Sequence, residues 1–105
     1  MLQNIHDQKE FKEFLKSAGP HLVVADFSAK WCGPCKMIRP FVHGLAVRYE
    51  NVLFCNVDVD LAGDVADLCH IVSMPTFQFF MRGEKIFEIT GANAKKLEEK
   101  IKELM

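Results

Sequence analysis

Two different spacings of apolar residues run along the chain and predict two kinds of element. Phe11, Phe14 and Leu15 follow the three- and four-residue spacing of one helix face. The runs Leu22 to Ala29 and Val52 to Val59 alternate little, which is typical of strands buried on both faces. The chain therefore alternates helices with buried strands, as α/β proteins do.

Short-range signals predict where these elements begin and end. Asp7, with Glu10 three residues later, gives a capping-box pattern ahead of the first helix, and the Gly-Pro pair at 19–20 ends that helix. Pro40 lies inside the second helix, where we expect a kink because proline removes a backbone donor. The strands are predicted near Leu2 to Ile5 and at Leu22 to Ala29, Val52 to Val59, Pro75 to Met81 and Lys85 to Ile89.

The order of elements predicts the fold class. A tight turn at Trp31 to Cys35 leads into the second helix, Asp60 to Cys69 is a third, and Ala94 to Leu104 is the closing helix. Arg82-Gly83-Glu84 joins the last two strands as a hairpin. The order β-α-β-α-β-α-β-β-α predicts a central mixed sheet of about five strands flanked by four helices, in an α/β fold. With 105 residues, the range 1–105 is expected to be a single domain.

Charge and composition exclude several classes of function. The formal net charge is −1, from 13 basic and 14 acidic residues, and no basic block is longer than two residues, so binding to nucleic acid is not expected. No apolar stretch is long enough to span a membrane, and the first residues lack the pattern of a signal peptide. We therefore expect a cytoplasmic, reducing setting, in which the four cysteines are not structural bridges.

The candidate chemistry lies at the junction between the second strand and the second helix. Cys32 and Cys35, with two residues between them, lie within disulfide reach, and Cys32 falls where the helix begins. Unpaired N–H groups and the helix dipole stabilise an anion there by up to ~2 kcal/mol, which favours the nucleophilic thiolate. Gly33 permits close approach by a partner, and Pro34 fits the first helical position. Cys32 is therefore predicted to attack a substrate disulfide, and Cys35 to resolve the mixed disulfide.

The resolving step needs a proton acceptor, for which Asp26 is the candidate. It interrupts an apolar strand six residues before Cys32. If buried, its carboxyl would have a raised pKa and would accept the Cys35 proton through water. The alternative is a carboxylate exposed at the strand end, and the pattern alone leaves both interpretations open.

These motifs together resemble the thioredoxin family over essentially the whole chain, and within it the animal cytosolic type. The resemblance is carried by the stretches Val24 to Ala29, Trp31 to Ile38, Asn56 to Asp60, Met74 to Phe77 and Gly91 to Asn93. Glu10 to Lys12, Cys69 to Ile71 and Lys95 to Glu98 also resemble a germ-cell paralogue. The resemblance implies a thiol–disulfide oxidoreductase that reduces disulfides in other proteins.

The resemblance also implies roles for particular residues and partners. The Met74–Pro75 bond would be cis, and the Met74 backbone would pair with an extended substrate. Asp26 matches the family's buried acid. The family has no bound cofactor; its electrons come from NADPH through thioredoxin reductase. The apolar docking surface would comprise Trp31, Gly33, Pro34, Met74, Pro75, Gly91 and Ala92.

Several alternatives accompany this interpretation. The chain could instead be a redox-gated module that holds a partner protein only when Cys32 and Cys35 are reduced. Zinc binding is not expected, because no further ligands have suitable spacing. Cys55 is expected to be a buried core thiol, and Cys69 to be structural or, if exposed, regulatory. Ser73 stands where such thioredoxins usually carry a further cysteine, so covalent dimerisation there is in doubt and a monomer is expected.

Overall fold

A computed structural model describes residues 2–105 and confirms the expected order of elements. The strands are β1 (Leu2–Ile5), β2 (Val23–Ser28), β3 (Leu53–Asp58), β4 (Thr76–Met81) and β5 (Glu84–Thr90). The helices are α1 (Gln8–Ser17), α2 (Gly33–Arg48), α3 (Gly63–Leu68) and α4 (Ala94–Leu104).

The five strands form one mixed sheet in the order β1-β3-β2-β4-β5. β1 and β2 both pair with β3 in parallel, while β4 pairs antiparallel with β2 and with β5. β2 is thus the central strand, and every residue from Leu22 to Ala29 is buried, as its unbroken apolar run predicts. The loop that follows β2 carries the chain to the Cys32–Cys35 pair.

Helices cover both faces of the sheet. On one face, α2 and α4 pack through Ile38, Val42, Leu97 and Ile101 against Val24 and neighbouring core residues. On the other face, Phe11 of α1 and Val65 of α3 pack with Ala25, Phe27 and Cys55. Because side chains alternate along a strand, β1, β2, β3 and β4 each contribute to both of these cores, while β5 contributes to the first.

The helix ends follow the local sequence closely. Asp7 caps α1, since its carboxylate accepts a hydrogen bond from the Glu10 N–H at 2.8 Å. The Glu10 carboxylate instead contacts His6 Nδ1 at 3.1 Å. The half of the predicted capping box that the Asp7 side chain forms is therefore present. α2 continues through Pro40 as one helix, and Tyr49 is its C-cap residue.

The third helix is predicted to begin three residues too early, and the hairpin turn is predicted one residue too long. The third helix begins at Gly63 instead of Asp60, because the Asp58 carboxylate accepts hydrogen bonds from the Asp60 and Leu61 N–H groups in a turn. The hairpin turn contains only Arg82 and Gly83, both with positive φ of 52° and 83°, and Glu84 already belongs to β5.

Candidate active site

The Cys32–Cys35 pair forms a disulfide at the N-terminus of α2, with the two Cα atoms 5.3 Å apart. Cys32 is the N-cap residue, and its Sγ accepts a hydrogen bond from the Cys35 N–H at 3.2 Å. Pro34 lies in the first turn, where its missing N–H costs no hydrogen bond. The predicted position of Cys32 at the helix start is therefore confirmed.

This geometry suits a sulfur that alternates between disulfide and thiolate. In the reduced protein, the Cys35 N–H and the positive end of the α2 dipole both stabilise negative charge on Cys32 Sγ. Cys32 and Cys35 are only 4% and 2% exposed, so this stabilisation is little screened by solvent. The first turn of α2 thus favours the thiolate form of Cys32, which is the form in which a cysteine can attack a disulfide.

An apolar wall surrounds the disulfide. Ala29 is buried against the two cysteines, and the partly buried Val59 and Met74 pack on them. The Met74–Pro75 peptide bond is cis. These contacts place the loop before β4 directly beside Cys32 and Cys35.

Two hydrogen bonds hold that loop in place. The Thr76 hydroxyl donates to the Ser73 carbonyl at 2.7 Å, closing the turn that contains Met74 and Pro75. The Gly91 N–H donates to the Pro75 carbonyl at 2.9 Å, which brings the turn after β5 to the same place. Gly91 adopts a φ of 95°, a conformation that glycine reaches without strain.

Most of the residues expected to form a docking surface are exposed around this loop, and Pro75 is the exception that is buried. Trp31 is 67% exposed, and its indole Nε1–H donates to Asp60 Oδ2 at 2.9 Å. Gly33, Pro34 and Ala92 are exposed, whereas Pro75 is buried and Met74 is half-buried. The disulfide is therefore flanked by apolar groups that a partner chain can contact, with the ring of Trp31 held in one orientation.

Asp26 is buried, which decides between the two interpretations of its position. It is 6% exposed, and its Oδ1 has no hydrogen-bond partner among the described residues. Burial raises the pKa of Asp26 to about 7, and the Arg39 guanidinium lowers it in part. The carboxyl therefore gains and loses a proton near neutral pH, as an acid–base group at this pH must.

The strand geometry directs Asp26 towards α2. Val24, two residues earlier on β2, packs with Ile38 and Val42 of α2, and residues two apart share a face of a strand. Arg39 lies one helical turn beyond Cys35, and it lines a cavity together with Asp26. The carboxyl thus faces the side of α2 on which Cys35 lies.

The other two cysteines are free and occupy different surroundings. Cys55 is fully buried in the core beneath α1 and α3, as predicted, and burial raises the pKa of its thiol far above the ordinary range. Cys69 is half-buried, and burial raises its pKa to about 11. Neither thiol belongs to the disulfide cluster, whose members are Ala29, Cys32, Cys35, Val59 and Met74.

Three contributions to the site could not be found from motifs. Asp60 orients Trp31, Thr76 closes the Ser73–Pro75 turn, and Val59 completes the apolar wall. Asp60 and Val59 belong to the stretch that carried the family resemblance, which is the only signal that pointed towards them. Within residues 2–105, His, Cys, Asp and Glu side chains form no group of three placed to hold a metal ion.

A helix-capping disulfide beside a cis-proline loop, on a five-stranded mixed sheet, defines a thiol–disulfide oxidoreductase. The thioredoxin family model matches residues 3–103. Curated thioredoxins from Sus scrofa and Homo sapiens are 55% and 54% identical over 105 residues, covering all of this chain and of each relative. The structure of Fasciola hepatica thioredoxin superposes with a TM-score of 0.97 at 34% identity, over 98% of this chain and 99% of that one.

The chain therefore belongs to the thioredoxin family, and its relatives place it with the animal thioredoxins. The fold class expected from the order of elements is confirmed by the same superposition. In the described part of the chain, every helix is too short or too polar to cross a membrane.

Proposed function

We propose that the chain is a protein-disulfide reductase that acts through Cys32 and Cys35. The observation that carries the proposal is the dual position of Cys32 Sγ, which caps α2 and is bonded to Cys35. In the reduced protein, Cys32 thiolate attacks one sulfur of a substrate disulfide. A Cys32–substrate disulfide forms, and the other substrate sulfur leaves as a thiolate.

Cys35 then completes the exchange. Its thiol transfers a proton to the Asp26 carboxylate, through water, and the resulting thiolate attacks Cys32 Sγ. The Cys32–Cys35 bond forms as the mixed disulfide breaks, and the second substrate sulfur leaves as a thiolate. Asp26 suits this role because its pKa, raised by burial to about 7, leaves it partly ionised at neutral pH.

The exposed groups around the disulfide are proposed to bind substrate. Trp31, Gly33, Pro34, Gly91 and Ala92 are exposed side by side with the disulfide, and such a surface suits an extended segment of a partner protein. The Met74 backbone, in the loop beside Cys32, would pair with such a segment as an added strand does. Gly33 and Pro34 would also set the reduction potential through the geometry of the first helical turn.

The proposed electron source is NADPH, delivered by thioredoxin reductase, with no cofactor bound to this chain. One support for this proposal is the family membership. The other is that the surface proposed to bind substrates is also available to a reductase. We further propose that the chain works as a monomer in the reducing environment of the cytoplasm. There, Cys55 and Cys69 would remain thiols while Cys32 and Cys35 cycle.

An insulin-reduction assay with NADPH and thioredoxin reductase tests this function. We expect NADPH to be consumed in proportion to insulin reduced; no turnover would reject the proposal. Trapping with Cys35→Ser separates the alternative, a redox-gated binding module. A reductase retains many proteins through mixed disulfides with Cys32, whereas a module retains one partner stoichiometrically and without a covalent bond.

A further inference from the structure

Beneath α2, one region of the sheet face is polar where its surroundings are apolar. Asp26 and Ser28 of β2 and Asn56 and Asp58 of β3 lie side by side, in register as Asp26↔Asn56 and Ser28↔Asp58. On the same strands, Val24 and Phe54 belong to the apolar core. The polar side chains therefore begin where that core ends, next to the buried Asp26 carboxyl.

An open cavity of about 250 Å³ lies over this polar strip. Leu2 and Asn4 of the edge strand β1 line one side of it, and Arg39 and His43 of α2 line the other. A cavity of this size, lined mostly by polar residues, has room for several water molecules. Asp26 lines the cavity, and its buried carboxyl oxygen Oδ1 has no hydrogen-bond partner among the described residues.

The disulfide side of the site is closed by buried residues. In the disulfide form, Cys32 and Cys35 are buried and covered by Ala29, Val59 and Met74. Yet each catalytic cycle leaves Asp26 with the proton that came from Cys35. That proton must reach solvent before Asp26 can accept another.

We propose that this cavity is the path by which Asp26 exchanges its proton with solvent, and that His43 relays the proton at the outer end. The carboxylic acid gives its proton to water in the cavity, and the His43 imidazole takes one up and releases it to bulk water. Asp26 returns to the carboxylate, and no electron is transferred. This inference rests on the proposed role of Asp26.

The charges around the path favour this exchange. Arg39 faces Asp26 from α2 and favours the ionised carboxylate. Lys30 and Asp58 also line the cavity, contributing one charge of each sign. Ser28 donates to Asn56 at 2.9 Å, and Asn56 approaches Asn4 at 3.5 Å, so uncharged hydrogen-bonding groups lead from β2 to the exposed β1 edge.

The test measures proton exchange in the resting disulfide form, without substrate. At a pH below 7, Asp26 carries its proton, and its C=O stretching band in the infrared shifts when the protein is mixed with D₂O. Asp26→Asn identifies the band by removing it. Because no turnover is involved, a failure here is distinct from a failure of Asp26 to assist Cys35.

Filling the cavity should slow the band shift. Leu2→Trp places a large side chain in the cavity without removing a polar group, and we expect exchange to slow by on the order of tenfold or more. Ile86→Trp, on the opposite edge strand β5, is the matched control and should exchange at the unchanged rate. An unchanged rate in Leu2→Trp, with the fold verified by circular dichroism, would overturn the proposed path.

The relay is tested separately at the exposed surface of α2, where substitution leaves the core intact. His43→Gln should slow exchange several-fold, and added imidazole should restore the rate. His21→Gln, outside the cavity, should have no effect. An unchanged rate in His43→Gln, or a loss that imidazole does not restore, would overturn the role of His43.

Discussion

Two cysteines lie on each side of the central sheet, but only the Cys32–Cys35 pair has surroundings that favour reaction. On the α2 side, Cys32 caps a helix and accepts a hydrogen bond from a backbone N–H. On the α1 and α3 side, Cys55 lies in a strand among apolar residues, and burial raises its pKa far above the ordinary range. Both sulfur atoms are almost fully buried, so burial alone does not determine reactivity. The two differ in the hydrogen-bond donor and the helix N-terminus that lie at Cys32.

A similar contrast exists between two buried groups that can release a proton, the Asp26 carboxyl and the Cys55 thiol. Asp26 and Cys55 are both desolvated, and in both cases burial raises the pKa. Asp26, however, lies beside a polar cavity and faces Arg39, so its carboxyl still titrates near neutral pH. Cys55 has neither of these features and remains protonated. The difference explains why one buried group can serve in proton transfer and the other only in packing.

The largest expected effect comes from removing one sulfur of the Cys32–Cys35 pair. Replacing Cys32 or Cys35 by serine should lower insulin reduction by several orders of magnitude, because each step of the exchange needs its own sulfur. Cys69→Ser is the matched control and should stay within about twofold of the parent rate. A large loss of activity in Cys69→Ser would show that the second pair also takes part in turnover.

Alkylation of the reduced protein sharpens the same comparison. At pH 7, a pKa of about 11 leaves only ~10⁻⁴ of Cys69 as thiolate, so iodoacetamide should modify Cys32 far sooner than Cys69. Cys55 should react only after unfolding. Mass spectrometry of timed samples gives the order, and early labelling of Cys55 in the folded protein would contradict the burial argument.

The raised pKa of Asp26 predicts that the free energy of unfolding depends on pH. The folded-state pKa of about 7 lies above the ordinary value of 3.8, so the unfolded chain releases this proton first as the pH rises. The free energy of unfolding should therefore fall between those two pH values and then level off. Asp26→Asn should remove this fall and raise stability at pH 8 by up to about 4 kcal/mol.

Urea titrations of both proteins at pH 5 and pH 8 check this expectation. Asp58→Asn, at the less buried end of the same polar strip, serves as the control and should show no comparable pH-dependent gain. Equal stabilities of parent and Asp26→Asn at pH 8 would mean that the carboxyl is ionised in the folded state at little cost.

The smallest effect concerns the orientation of Trp31. Asp60→Ala removes the acceptor of its indole N–H, which should raise the KM for a protein disulfide about threefold, as expected for one exposed hydrogen bond. Because Trp31 is the only tryptophan, its fluorescence reports the change directly. Asp67→Ala, on the exposed surface of α3, should alter neither quantity.

Local sequence signals predicted most of the fold because they act over a few residues. Asp7 caps its helix, the run from Leu22 to Ala29 is wholly buried, and Cys32 begins α2. The third helix was predicted too long because Asp58 satisfies the following N–H groups in a turn, a competition that helix periodicity does not reveal.

The site was less predictable wherever it depends on distant parts of the chain. Periodicity placed Asp26 in a strand but left its exposure open, because burial depends on α2 packing over that face. The contacts Trp31–Asp60 and Gly91–Pro75 join segments far apart in sequence. No local pattern encodes such pairs, and the cavity between β1 and α2 arises only once both elements are assembled.

The atom that reacts is also the atom that caps α2. In the disulfide form the Cys35 N–H donates to Cys32 Sγ. We expect this bond to be stronger when Sγ is a thiolate and weaker when Cys32 carries a substrate sulfur, because a charged acceptor binds a donor more strongly. Chemical turnover and fraying of the first helical turn are thus coupled through one hydrogen bond. The Cys35 amide proton is therefore a built-in reporter: its solvent exchange should be slowest in the thiolate form and fastest while a partner is covalently attached.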